Sequence, residues 1–105
     1  MKRGDVVWHK FQKPNKARPV LIITRDAAIS ELNALTVIPI TSVIRDLPSE
    51  VFLSAEDGMP QDCVANVDWI QNVPKHLLFG HITHLTEEHL EQVLPAIRFA
   101  FGFED

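Results

Sequence analysis

A mainly β (α+β) fold, a small antiparallel barrel or curled sheet followed by a C-terminal helix, is what this sequence predicts. Three observations predict it. Six apolar, β-branched runs of strand length succeed one another, each bounded by Pro, Gly, Asp or Asn. One of them, Val20-Leu21-Ile22-Ile23, lacks polar alternation, as a strand covered on both faces does. A sustained helical pattern appears only at the end, from Thr86. With 105 residues, 46% hydrophobic and 23% charged, the chain has length for one core. Residues 1–105 are therefore expected to form a single domain, which excludes architectures with separate cofactor and substrate domains.

Arg3-Gly4-Asp5 leads into the first expected strand, Val6 to Phe11. The second is Val20 to Thr24, central to the sheet, and Thr36 to Thr41 should lie beside it. Between them Asp26 to Leu35 reads as a short Ala-rich helix with Asp26 as its cap. Val51 to Ser54, Cys63 to Ile70 and Leu78 to Leu85 supply the other strands. In the closing helix Thr86 is placed to accept from the first-turn amides, and Glu87 and Glu88 sit at the positive end of the dipole. Leu85 and Leu90 form a hydrophobic staple, while Leu90, Val93, Leu94, Ile97 and Phe101 share one apolar face that Gly102 ends. Pro95 removes a hydrogen bond and clashes with the carbonyl of Glu91, at about 3 kcal/mol in a straight helix. A kink or a two-piece helix is expected.

The formal net charge of -4 is unevenly spread: residues 1–52 carry +3 and residues 53–105 carry -7. Within residues 1–18, Lys2, Arg3, Lys10, Lys13, Lys16 and Arg18 face only Asp5, a local field suited to a phosphate backbone. Cys63 is the sole cysteine, so an internal disulfide is excluded, and it reads as a small core hydrophobe. Neither a signal segment nor an apolar run of roughly 18 residues is present, so the chain is expected in the cytoplasm with no membrane partner.

His81-x-x-His84 followed by His89 invites a metal reading, but an odd spacing on a strand sends His81 and His84 to opposite faces. No metal and no cofactor is expected. Neither a Gly-x-Ser-x-Gly turn nor a Gly-rich phosphate loop occurs. What remains is a polar set at strand ends: Arg18, Thr41, Ser42 and Asp68. A guanidinium holds a phosphate through two donors while a hydroxyl donates to a third oxygen, which suits a charged phosphorane. By residue type alone, Arg18 is more often a solvated strand start and Thr41 a β-former.

The order of segments is more specific. Arg3-Gly4-Asp5-Val6-Val7-Trp8, then Arg18-Pro19-Val20-Leu21-Ile22-Ile23, then Val37-Ile38-Pro39-Ile40-Thr41-Ser42 resembles the MazF/PemK (Kid) family of bacterial toxins. Pro48-Ser49-Glu50-Val51, Asp62-Cys63-Val64 through Asp68-Trp69-Ile70, and Gly80-His81-Ile82 continue the likeness across nearly the whole chain. The resemblance implies an SH3-like barrel of the MazF/PemK/CcdB type, a homodimer, and a toxin of a type II toxin–antitoxin system. It implies metal-independent, sequence-specific cleavage of single-stranded mRNA by attack of the RNA 2′-hydroxyl on its own phosphate, blocking translation and growth. A cognate antitoxin with an acidic tail is the implied partner.

Arg18 and Thr41 stand at the family's catalytic positions. Arg is a poor general acid, so His9 is a candidate acid or base. Lys13, Lys16, Ser42, Asp68 and Gln71 are candidate substrate contacts. Several positions depart from the family pattern: the segment between Trp8 and Arg18 is short and lacks a Glu-Gln-Gly stretch, and Gln71 replaces a basic residue. Trp69 is read as a base-stacking, core or dimer residue. A catalytically decayed or binding-only relative, gyrase-poison-like or antitoxin-binding, is the alternative reading.

Overall fold

The structure, a computed structural model, describes residues 1–10 and 16–103. In chain order its elements are β1 (Asp5–Lys10), β2 (Ala17–Ile22), α1 (Asp26–Ile29), β3 (Ala34–Thr41), β4 (Glu50–Leu53), β5 (Cys63–Asn66), β6 (Gln71–Pro74), β7 (Leu78–His84), α2 (Glu87–Glu91) and α3 (Val93–Phe101). Short 3-10 turns occupy Ala55–Asp57, Val67–Trp69 and Lys75–Leu77. All pairings are antiparallel, in the order β4-β5-β3-β2-β1-β7, with β6 also on β3.

Strand β2 explains why the sheet has two covered faces. Leu21 joins Val6, Ile38 and Ile40 in one core, which α3 covers through Val93 and Ala96. Val20 and Ile22 join Val7, Leu35, Val37 and Val73 in a second core, which α1 covers through Ile29. The unbroken apolar run is thus shared between two cores, as expected, and β3 lies beside it. Burying a side chain such as Leu21 completely contributes about 2 kcal/mol.

Strand β3 changes partners along one edge. Ala34 to Val37 pair with β6, and Ile40 and Thr41 pair with β5. Pro39 falls in the gap, where that edge has no strand pairing and a missing N–H costs little.

Three expectations need correction. The helix expected over Asp26 to Leu35 is only four residues long, because Leu35 is drawn into the second core as part of β3. Asp26 does not cap it: Arg25 holds the cap position, and the Asp26 carboxylate accepts the backbone amide of Arg3 at 2.7 Å. The strand expected over Cys63 to Ile70 stops at Asn66, whose side chain accepts the Asp68 amide at 3.0 Å and starts a 3-10 turn. Strand β6 was not anticipated, since Gln71-Asn72-Val73-Pro74 offers one apolar residue to the interior.

The C-terminal helix is in two pieces with a break at Gln92. Pro95 therefore sits in the first turn of α3, where its absent N–H has no intrahelical acceptor to lose. Thr86 caps α2 by accepting the His89 amide, and Gly102 ends α3 in the left-handed conformation. Leu94 and Phe101 of the expected apolar face are about half exposed, while Ala96 is buried in their stead.

Candidate active site

The register across β1, β2 and β3 builds the site. His9 lies opposite Arg18. The pairing of β2 with β3 ends at Val20 opposite Pro39, and Arg18 and Thr41 stand just beyond it at the same end of the two strands. A cleft of about 190 Å³ opens at this end of β2 and β3, lined by Arg18, Pro19, Ile40, Thr41 and Ser42 on one side. Met59, Pro60, Gln61 and Cys63 line the other.

Arg18 and Ser42 are exposed, and Thr41 is half-buried. The Thr41 hydroxyl oxygen accepts the Val43 amide at 3.1 Å, so its own hydrogen remains to be donated. Beyond it, Glu50 accepts the amides of Arg45 and Leu47 at 3.0 and 3.3 Å and holds the loop after Ser42. His9 is only 6% exposed, and burial pushes its pKa below that of an ordinary histidine. Cys63 is also buried; burial, then the Asp62 and Asp57 carboxylates, push its thiol up to about 11, so it stays protonated in the cleft wall.

The other candidates stand apart from this cleft. Asp68 accepts the hydroxyl of fully buried Ser49 at 2.6 Å, and the Gln71 amide donates to the Trp69 carbonyl at 3.3 Å. Neither lines the cleft. Trp69 is 45% exposed. Lys16 lines a neighbouring hollow, and Lys13 lies outside the described residues. The sequence reading missed Met59, Pro60 and Gln61; the turn-forming Gly58 and Pro60 before a strand were the available signal.

The histidines do not gather as metal ligands. His81 and His84 both approach Asp5 Oδ1, at 3.4 and 2.7 Å, while His89 faces Asp57 at 2.9 Å. Among the described residues no group of three or more His, Cys, Asp or Glu is arranged to hold a metal ion. That His81 and His84 meet one carboxylate corrects the expectation of opposite faces. Between the pairs Val6 with Thr83 and Trp8 with Phe79, β7 inserts Gly80, His81 and Ile82 opposite Val7 alone, and Gly80 is left-handed with φ +70. Alternation does not survive such a bulge.

Residues 2–101 match the family described as PemK-like, MazF-like toxin of type II toxin-antitoxin system. The chain belongs to that family. It is 35% identical over 103 residues to the probable endoribonuclease MazF2 of Mycobacterium tuberculosis, covering 97% of this chain and 99% of that one. It is 37% identical over 90 residues to the endoribonuclease MazF3 of the same species, covering 86% and 87%. Among solved structures, the Mycobacterium tuberculosis toxin MazF-mt6 superposes with a TM-score of 0.87 at 33% identity, covering 96% of this chain and 99% of the other. A mycobacterial endoribonuclease solved with its cognate antitoxin, at 22% identity and a TM-score of 0.85, shares the fold.

Proposed function

We propose that this toxin is a metal-independent endoribonuclease that cuts single-stranded mRNA at a short sequence, with Arg18 and Thr41 acting on the scissile phosphate. The observation that carries the reading is the meeting of exposed Arg18 and Ser42 with half-buried Thr41 on one side of a single cleft. The 2′-hydroxyl oxygen attacks the adjacent phosphorus and gives up its proton. The bond to the 5′-oxygen breaks, and that oxygen takes up a proton, leaving a 2′,3′-cyclic phosphate and a 5′-hydroxyl. The guanidinium of Arg18 donates to the phosphorane oxygens as charge grows there, and the Thr41 hydroxyl donates to another. His9, the candidate acid or base, lies opposite Arg18 but is buried and does not line the cleft, so it acts on the placement of Arg18 rather than on the RNA.

Exposed apolar side chains on the loop after the cleft, Val43, Ile44 and Leu47, support a homodimer, and family membership supports a cognate antitoxin as partner. Among the described residues no helix is long and apolar enough to cross a membrane, which supports a cytoplasmic site of action. The family match over residues 2–101 supports treating 1–105 as one domain. Incubating wild-type and Arg18→Ala protein with a long single-stranded RNA in EDTA, with cuts mapped by primer extension, tests the reading. Discrete cuts lost in the variant are expected, and uncut RNA with several unrelated transcripts refutes it.

A further inference from the structure

Beside the cleft lies a larger hollow of about 510 Å³, lined by Lys10, Lys16, Ala17, His76 and Phe79. We propose that it is a nucleotide subsite, holding the residue of a single-stranded RNA that neighbours the scissile phosphate. The base stacks on Phe79, and its phosphate lies between Lys10 and Lys16. The inference rests on the ribonuclease reading above and assigns that substrate a second point of attachment.

Position is the first argument. Lys16 and Ala17 line the hollow, and the next two residues of the chain, Arg18 and Pro19, line the cleft. Lys10 pairs with Ala17, one step along from His9 and Arg18. Trp8 pairs with both Pro19 and Phe79, so one row of the sheet runs from the cleft to the hollow. From Ala17 to Pro19 the strand advances about 7 Å, so an RNA strand lying on Arg18 reaches the hollow with its next residue.

Chemistry is the second. Phe79 is 49% exposed although it lies on a paired strand, and it offers an apolar face to solvent. Among the described residues, neither Lys10 nor Lys16 forms an ion pair with a carboxylate. Two ammonium groups and an imidazole around an open aromatic ring are the equipment by which single strands are gripped: cations follow the backbone while the ring takes a base. The volume lies in the range of small-molecule sites.

The test uses a short RNA spanning a mapped cut, with a 2′-deoxy sugar at the attacking position so that it binds uncut. Its affinity is read by fluorescence anisotropy while abasic residues replace the bases in turn. At one position flanking the scissile phosphate, the abasic change should weaken wild-type binding about tenfold, leave Phe79→Ala binding unaffected, and regain its effect in Phe79→Trp. The double variant Lys10→Gln/Lys16→Gln should flatten the slope of log affinity against log salt by about 0.7, the value for one phosphate on a single strand. Equal abasic losses in wild type and Phe79→Ala at every position, or an unchanged salt slope, overturn the proposal. Cleavage by the wild type is scored separately, so a protein that cuts RNA without this coupling loses the subsite and keeps the ribonuclease reading. If the wild type cuts nothing, oligouridylate replaces the mapped RNA. A loss of its binding in Phe79→Ala then retains an RNA-binding hollow while the ribonuclease reading falls, and unchanged binding ends both.

Discussion

Histidines stand close to a charged residue at both ends of β1, two from β7 at one end and His9 of β1 itself at the other, and the two ends are built in opposite ways. At the Asp5 end the carboxylate is buried and the imidazoles are exposed: His84 hydrogen-bonds Asp5 at 2.7 Å, His81 lies at 3.4 Å, and the Lys2 amide donates at 2.9 Å. At the Lys10 end the imidazole of His9 is buried, and the charged partner opposite, Arg18, is exposed in a cleft. The first end satisfies its charge internally and ties β7 to β1. The second leaves its cation exposed in a cleft, where the function proposed for it is exercised.

The largest break in that comparison should come from Arg18→Lys. Lysine keeps the charge but loses the planar fork, so cleavage should fall about a hundredfold while the melting temperature barely moves; single-turnover cleavage and calorimetry check both. Gly58→Ala acts on the wall facing Arg18. Gly58 has φ +92, and a Cβ there would collide with the Thr83 side chain, whose hydroxyl donates to the Asp57 carbonyl at 2.7 Å. A loss of about 2 kcal/mol in denaturant unfolding is expected, with weaker RNA binding as Met59 to Gln61 shift.

Asp5→Asn probes the other end. Burial alone would raise the Asp5 carboxyl, but the His84 hydrogen bond, the Lys2 amide and the charges of His81 and His84 outweigh it and hold the pKa below its ordinary value. A depressed carboxyl stabilises the fold above the unfolded pKa of about 4 and stops doing so as pH falls through the folded one. Asp5→Asn should therefore cost about 1 kcal/mol at neutral pH, and its deficit should vanish in strong acid, with cleavage chemistry unchanged. The smallest effect belongs to His9→Gln. Below about pH 6.5 the unfolded chain takes up a proton that buried His9 refuses, so the wild type loses stability as the medium is acidified. Unfolding curves at pH 7, 6 and 5 should show a shallower fall in His9→Gln, by less than about 1 kcal/mol.

Much of this was legible beforehand because it depends on local pattern. The apolar run of β2, the Thr86 cap, the Gly102 stop and the conflict at Pro95 each follow from neighbours a few residues apart. The expectation for Arg18 and Thr41 came from the order of the segments that carry them, and the two residues line one cleft. The wall of Met59, Pro60 and Gln61 was not, because residues some forty positions from Arg18 reach it only through the path of β4 and β5.

By itself, then, the sequence determined a mainly β chain with a C-terminal helix, a basic first segment and a polar set at strand ends, since alternation, capping and charge are properties of adjacent residues. The tertiary structure decided the rest. Cross-strand register set His9 opposite Arg18, the paths of β2 and β3 brought Arg18 and Thr41 to one cleft, the bulge at Gly80 turned two histidines onto Asp5, and burial lowered the pKa of His9. Register, bulges and burial come from contacts between segments distant in the chain, and no local pattern encodes which of those segments will meet.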